Sequence, residues 1–352
     1  MSIAGKALQS TLRFRTGKSL ITSASKRTIE SSPLLYTAAF HNTTQLSSAQ
    51  PVSSDPMKDH AFDTRPHMKH NYGRSQFADF NLKGEAFIVT GRGSRSRLEP
   101  SRGSLRSRGS LFDTDWVILL VYCLDRQEKP HEDYAEALAR VVPEWGGSLQ
   151  YRQADVVDTK ALDEIISGIA DENQGLHGLI AAAGIQQITP STEYTADDVE
   201  KMLAVNYTGV FMSATSVARQ MIRYKSRGSI CMIASMSGLI ANHGLLSPVY
   251  NSSKAALIQL ARNLAMEWSP MTREGTGGIR VNCISPGHIM TPMVRKNFEE
   301  VPGLKEEWES LNMFGRLADT TEFKGAALFL MSNASSFMTG SNMIIDGGHT
   351  AW

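Results

Sequence analysis

From residue 86 onward, short apolar runs alternate with amphipathic stretches, a rhythm that predicts helices on both faces of a doubly wound parallel α/β sheet. The predicted strands are 86–90, 117–124, 149–154, 178–183, 228–234, 279–285 and 342–346. Several are almost continuously apolar, as strands covered on both faces require. Helical periodicity fills 132–142, 160–170, 196–224, 249–268 and 321–331. One gap breaks the rhythm. Between Thr90 and Val117, where one helix belongs, the sequence is rich in Arg, Ser and Gly, with six arginines from Arg92 to Arg108.

Composition narrows the class without naming it. The chain has 352 residues, 41% hydrophobic and 20% charged, with a net charge of +1. That balance suits a globular protein and gives no global electrostatic case for nucleic acid. Cys123, Cys231 and Cys283 lie too far apart for a zinc cluster, and they argue against a disulfide framework. No metal site is expected. The longest apolar run, 116–124, is about half of the ~20 residues a membrane span needs.

Charge is unevenly placed. Residues 1–110 carry 17 basic and 7 acidic side chains, and the remainder carries 19 and 28. Lys6, Arg13, Arg15, Lys18, Lys26 and Arg27 precede the first acid, Glu30, in a Ser/Thr-containing stretch. An acid-free cationic start of this kind predicts a mitochondrial transit peptide over 1–30. The plainer alternative is a basic tail on a cytoplasmic protein. Residues 31–81 hold no sustained periodicity and read as a flexible extension before a single domain over 82–352.

The chemistry gathers late in the chain. Tyr250 and Lys254 are spaced i, i+4 in a helical pattern, so they share a face. A free phenol titrates near ~10, and a neighbouring ammonium lowers that value, making tyrosine usable as a general acid or base. Alone, such a pair is weak evidence. Upstream, "GSICMIASMSG" at 228–238 is a buried strand ending in hydroxyls, at the edge where open α/β sheets place ligands. Ser235, 15 residues before Tyr250, can donate to a carbonyl oxygen, and Ser237 is the less favoured candidate. Asn206 in "VNYTGVF" sits mid-helix, where asparagine is mildly unfavourable, so a hydrogen-bonding duty is expected of it. Downstream, "RVNCISPGHIMTPM" is a strand followed by the stiff Pro286–Gly287 turn, and Asp346-Gly347-Gly348 closes the last apolar run.

In order and spacing, these motifs resemble the short-chain dehydrogenase/reductase family from about residue 82 to 352, and within it the fungal polyol dehydrogenases and ketose reductases. The resemblance implies a Rossmann-type fold, a homo-oligomer (a tetramer in most relatives), and hydride transfer between a nicotinamide cofactor and a small polyol or ketose. Tyr250 would exchange a proton with the substrate oxygen. Lys254 would lower the pKa of Tyr250 and hold the nicotinamide ribose, Ser235 would orient the carbonyl, and Asn206 would support a relay water. Gly91, Asp155, Ala183, Gly184, Pro286, Gly287, Ile289 and Thr291 would line the cofactor. Asp125, ending the second strand, would hydrogen-bond the ribose and repel a 2′-phosphate, which favours NAD. Arg126 beside it leaves NADP open. Where the family usually has asparagines before Ala183-Gly184, this chain has Ala181 and Ala182.

The sharper departure is at 91–116. Thr90 and Gly91 begin the family's glycine-rich phosphate turn, but its later glycine positions hold Arg95 and Arg97, and Pro100 interrupts the helix that should follow. Read one nucleotide later, permissible codons can encode both glycines and an amphipathic Leu-Asn-Leu-Ala-Glu-Ala-Leu segment, so a frame slip is one hypothesis that would account for the departure, beside a real feature of the chain. Two other readings compete with a working enzyme. One is a dehydrogenase-like protein with a damaged phosphate loop. The other is an Arg/Ser binding segment on a silent scaffold. Replacing 91–116 by the glycine-spaced loop and helix is expected to strengthen NAD binding markedly in calorimetric titration, because backbone N–H groups at a helix N-terminus are preorganised for phosphate. Equally tight binding by the unaltered chain would show that the arginines substitute for the loop.

Overall fold

In the computed structural model, the described residues are 78–91, 119–130, 132–139, 141 and 147–352. The chain divides into two units, Met1–His67 and Met68–Trp352, and every described residue belongs to the second. The transit-peptide reading, almost all of the extension and nearly all of the Arg/Ser segment lie outside the described residues.

Seven strands form one parallel sheet in the order β3-β2-β1-β4-β5-β6-β7: β1 Glu85–Thr90, β2 Leu119–Asp125, β3 Ser148–Gln153, β4 Gly178–Ala181, β5 Ser229–Ile233, β6 Arg280–Pro286 and β7 Asn342–Ile345. Each matches a predicted run to within a few residues. The apolar positions of β1, β4 and β6 are buried because both faces of the sheet are covered. α1 (Glu132–Leu138) follows β2 where a helix was predicted, and against one face of the sheet pack α2 (Thr159–Asn173), α4 (Val210–Tyr224) and α5 (Pro248–Trp268), through Ile166, Ile169, Val217, Leu257 and Ala261. The other face meets Phe323, Ala327 and Leu330 at and within the helix Lys324–Met331.

The predicted helix over 196–224 is three pieces in one rod. α3 (Ala196–Leu203) starts at a capping box between Thr195 and Asp198, a π-helical turn spans Ala204–Gly209, and α4 continues. Two helices between β6 and β7 had no counterpart in the predicted pattern: α6 (Pro292–Glu300) and α7 (Leu304–Leu311). Each is short, with one narrow apolar stripe, so its periodicity is brief. The boundary signals were present, namely Thr291 as N-cap with Pro292 following it, and Leu304/Trp308 at i, i+4. The last helix, Lys324–Met331, is α8.

Strand order reverses between β3-β2-β1 and β4-β5-β6-β7, which opens a crevice beyond the carboxyl ends of β1 and β4. Gly91 stands at its mouth with φ +80°, its N–H donating to Leu124 O at 2.9 Å. A Cβ on Gly91 would fall 2.2 Å from the Cα of Ala183. Gly91→Ala should therefore destabilise the fold by at least about 2 kcal/mol, from left-handed strain plus backbone overlap. Urea titration of both forms checks this, and an unchanged midpoint would refute it.

Candidate active site

β5 ends at Ile233, and the chain continues through Ala234 to the buried Ser235. The Ser235 hydroxyl donates to Ser237 Oγ at 3.1 Å and accepts from Ser237 N at 3.2 Å. Ser237 Oγ also receives the Asn242 amide, at 2.8 Å from Nδ2. Ser237 thus backs Ser235. The chain then crosses α5 at Gly238, where a Cβ would lie 2.7 Å from both Lys254 C and Ala255 N, so a glycine is needed for the strand exit to sit this close to the helix.

On α5, Tyr250 and Lys254 share a face, and the Lys254 Nζ stands 5.7 Å from the Tyr250 ring centroid. Lys254 is buried and donates to Ile233 O at 2.8 Å, tying the helix to the end of β5. Burial pulls its pKa down to about 8. Burial also pushes the Tyr250 phenol above its ordinary value, opposed by a hydrogen bond with Ser235. The net direction is upward, opposite to the lowering anticipated for this residue, because loss of water around the phenolate is the largest cause.

Asn206 lies fully buried in the π turn, whose extra residue aims it inward. Its Oδ1 accepts from Ile185 N at 2.8 Å, and its Nδ2 donates to Ile185 O at 2.9 Å and Ser253 Oγ at 3.1 Å. One amide pairs both backbone groups of Ile185 and ties the segment after β4 to α5. Sequence reasoning anticipated a hydrogen-bonding duty for Asn206 and missed Ser253 as one of its partners. A side chain begun at Gly184 would stand 3.5 Å from both Asn206 Oδ1 and Lys254 Nζ, so these three positions converge.

The other anticipated residues rim the same edge. Asp125 Oδ1 accepts from Gln127 N at 3.1 Å, and the exposed Asp155 accepts from Val157 N at 3.0 Å. Ala183 packs over Gly91. Pro286 pairs with Ile345, and Gly287 N donates to Ile345 O. Ile289 bridges to Ala318, and Thr291 caps α6 by accepting from Val294 N. His288, which sequence reasoning passed over, stacks on Trp308 with centroids 3.5 Å apart and meets His349 edge-on. Burial and His349 push its pKa down to about 3, so it is a neutral anchor for α7. Among the described residues, no group of three potential ligands could hold a metal, and no helix is long and apolar enough to cross a membrane.

A family model described as Enoyl-(Acyl carrier protein) reductase matches residues 120–350. A protein named short chain dehydrogenases/reductase notP′, from Aspergillus versicolor, is 38% identical over 66% of this chain and 79% of its own length. The chain belongs to the short-chain dehydrogenase/reductase family. A D-arabinitol 2-dehydrogenase (ribulose-forming) of Candida albicans is 33% identical over 78% of this chain and 95% of that protein. A crystal structure of a gluconate 5-dehydrogenase from Burkholderia cenocepacia, in complex with NADP and tartrate, superposes with a TM-score of 0.64 at 26% identity, covering 78% of this chain and 98% of that one.

As a short-chain dehydrogenase/reductase, the chain is a nicotinamide-dependent oxidoreductase. Its described residues fit that cofactor. Gly91 brings the end of β1 against the backbone of Ala182 and Ala183 with no Cβ of its own, and the buried Thr90 Oγ1 has no partner among the described residues. Asp125 stands one strand away with its carboxylate oriented by Gln127. Lys254 and Tyr250 close the far side.

Proposed function

We propose that this short-chain dehydrogenase/reductase interconverts a polyol and the corresponding ketose, with NAD as its nicotinamide cofactor. The observation that carries the reading is Ser235 at the carboxyl edge of β5 beside the Tyr250/Lys254 face of α5, which Lys254 ties to Ile233 O at 2.8 Å, in a chain similar to a D-arabinitol 2-dehydrogenase. Oxidation removes a hydride from the alcohol carbon and a proton from its hydroxyl, and the bound cofactor supplies the hydride acceptor. Tyr250 takes the proton, and returns one to the carbonyl oxygen in the reverse direction. Ser235 holds that oxygen by hydrogen bonding, and Ser237 fixes the Ser235 hydroxyl. Asn206 keeps the segment after β4 at the spacing the reacting groups need.

The Asp125 carboxylate supports NAD, because it would repel a 2′-phosphate. The exposed Arg126 beside it keeps NADP as the second candidate, and the gluconate dehydrogenase relative holds NADP. The homo-oligomeric reading has support in β7, an edge strand carrying the exposed Ile344 beyond the fully exposed Phe337.

Since burial holds the Tyr250 phenol above its ordinary value, the group is protonated at neutral pH. Ketose reduction should therefore run well at pH 7, and polyol oxidation should accelerate as pH rises above it. Tyr250→Phe should lower kcat by about 10³-fold or more in both directions, with NAD affinity by calorimetry nearly unchanged. Substantial residual turnover would show that another group carries the proton.

The mitochondrial assignment rests on the acid-free basic stretch before Glu30. Residues 1–30 fused to a fluorescent reporter should carry it into mitochondria and be cleaved. An unprocessed cytosolic reporter would overturn this assignment and leave the chemistry untouched.

A further inference from the structure

We propose that His288 is a positioning residue for the nicotinamide end of the cofactor, its ring clamping the 287–291 turn to α7; the assignment rests on the reading that Ile289 and Thr291 line that end. The backbone of the turn is tied on one side. Gly287 N donates to Ile345 O, Ala318 N to His288 O and Met290 N to Ala318 O, each at 2.9 Å. These bonds fix the turn against β7 and residue 318. None of them reaches α6 or α7, which the chain enters directly from Thr291.

The His288 side chain makes that link. Its ring lies flat on Trp308, with centroids 3.5 Å apart and 8° between the planes, and His349 meets it edge-on at 5.1 Å. All three residues are buried. Trp308 is itself held, since Phe298 of α6 packs against it at 5.6 Å and its Nε1 donates to His243 O at 3.1 Å. His349 is fixed by the turn at Asp346, whose carboxylate accepts from Gly348 N and Thr350 N, both at 2.9 Å. The imidazole thus sits in a slot whose walls come from α7 and the C-terminal segment. Burial keeps it neutral, so the contact is ring on ring with no charge to solvate.

α6 and α7 pack on a small cluster around Leu245, Leu304 and Leu317, apart from the two clusters that cover the sheet. Thr291 is the N-cap of α6, so any shift of this cap is passed to the turn. The His288 stack removes that freedom and sets Ile289 and Thr291 in advance. Without it, part of the binding energy would go into ordering the turn. The effect is confined to one end of the cofactor, because His288 follows β6 whereas Gly91 and Asp125 end β1 and β2.

The test uses the full chain with NAD and with ADP-ribose, which lacks only the nicotinamide ring. Saturation-transfer NMR gives both dissociation constants, and within NAD it compares saturation of the nicotinamide protons with that of the adenine protons. His288→Leu fills the slot without a flat ring. It should weaken NAD binding about tenfold while leaving ADP-ribose binding nearly unchanged, and it should lower nicotinamide saturation relative to adenine. His288→Phe restores a neutral stacking ring and should recover most of the NAD affinity and the saturation pattern. Should His288→Leu give no folded chain, Trp308→Leu removes the stack from the α7 side and is read in the same way. An unchanged ratio of the two constants, equal losses on both ligands, or no recovery in His288→Phe would overturn the assignment to His288 and leave the cofactor reading intact. An unaltered chain that binds ADP-ribose no more weakly than NAD, with no saturation of the nicotinamide protons, would overturn the placement of the nicotinamide at Ile289 and Thr291 and this assignment with it.

Discussion

Lys254 holds its ammonium at 4% exposure, and a charge in that position is unfavourable unless the protein replaces the water it has lost. Ile233 O does part of this by accepting at 2.8 Å, and the Tyr250 ring lies across the helix turn. The remaining cost appears in the pKa pulled down to about 8. The neighbouring features follow from making room for that group. α5 must approach the exit of β5, which requires Gly238, where a Cβ would lie 2.7 Å from the helix backbone.

The π turn at Ala204–Gly209 serves the same geometry from the other side. A regular helix through 196–224 would keep its 3.6-residue period, and the wider turn re-aims one residue toward the sheet edge. That residue is Asn206, whose amide pairs N–H and C=O of Ile185 as a neighbouring strand would. The buried backbone just past the end of β4 thereby keeps its hydrogen bonds outside the ladder. Ser253, on α5 between Tyr250 and Lys254, accepts the remaining amide hydrogen and joins three elements.

The strands were legible because burial on both faces leaves almost no polar residue to confuse the pattern, and Asn206 because an asparagine mid-helix runs against propensity. Tyr250, Lys254 and Ser235 could be read from spacing, since i, i+4 geometry and a strand-end position are properties of the sequence itself. What could not be read depends on contacts between distant segments. Ser253 and Asn242 are ordinary serine and asparagine until the fold sets them beside Asn206 and Ser237. The direction of the Tyr250 shift also required the fold, because only packing decides how far the phenol is removed from water. α6 and α7 were missed for a third reason. Their few apolar residues face a local cluster around Leu245 and Leu317 rather than the sheet, so their stripe is too short to register as periodicity.

The departure at 91–116 bears on affinity for phosphate more than on the architecture. β1 and β2 pair in parallel from Glu85↔Leu119 to Thr90↔Leu124, and Gly91 N still reaches Leu124 O. That pairing draws on the apolar residues of the strands and on the helices that cover them, none of which belongs to the phosphate turn. Long connections are tolerated between paired strands because closure entropy grows only with the logarithm of loop length. A phosphate group has no such substitute. It is held by N–H groups and a helix terminus that a glycine-spaced turn presents ready-made, whereas arginine side chains must be ordered on binding. Strand pairing and phosphate holding therefore depend on different residues, so a change confined to this segment can weaken cofactor binding while the Ser235–Tyr250–Lys254 edge stays in place.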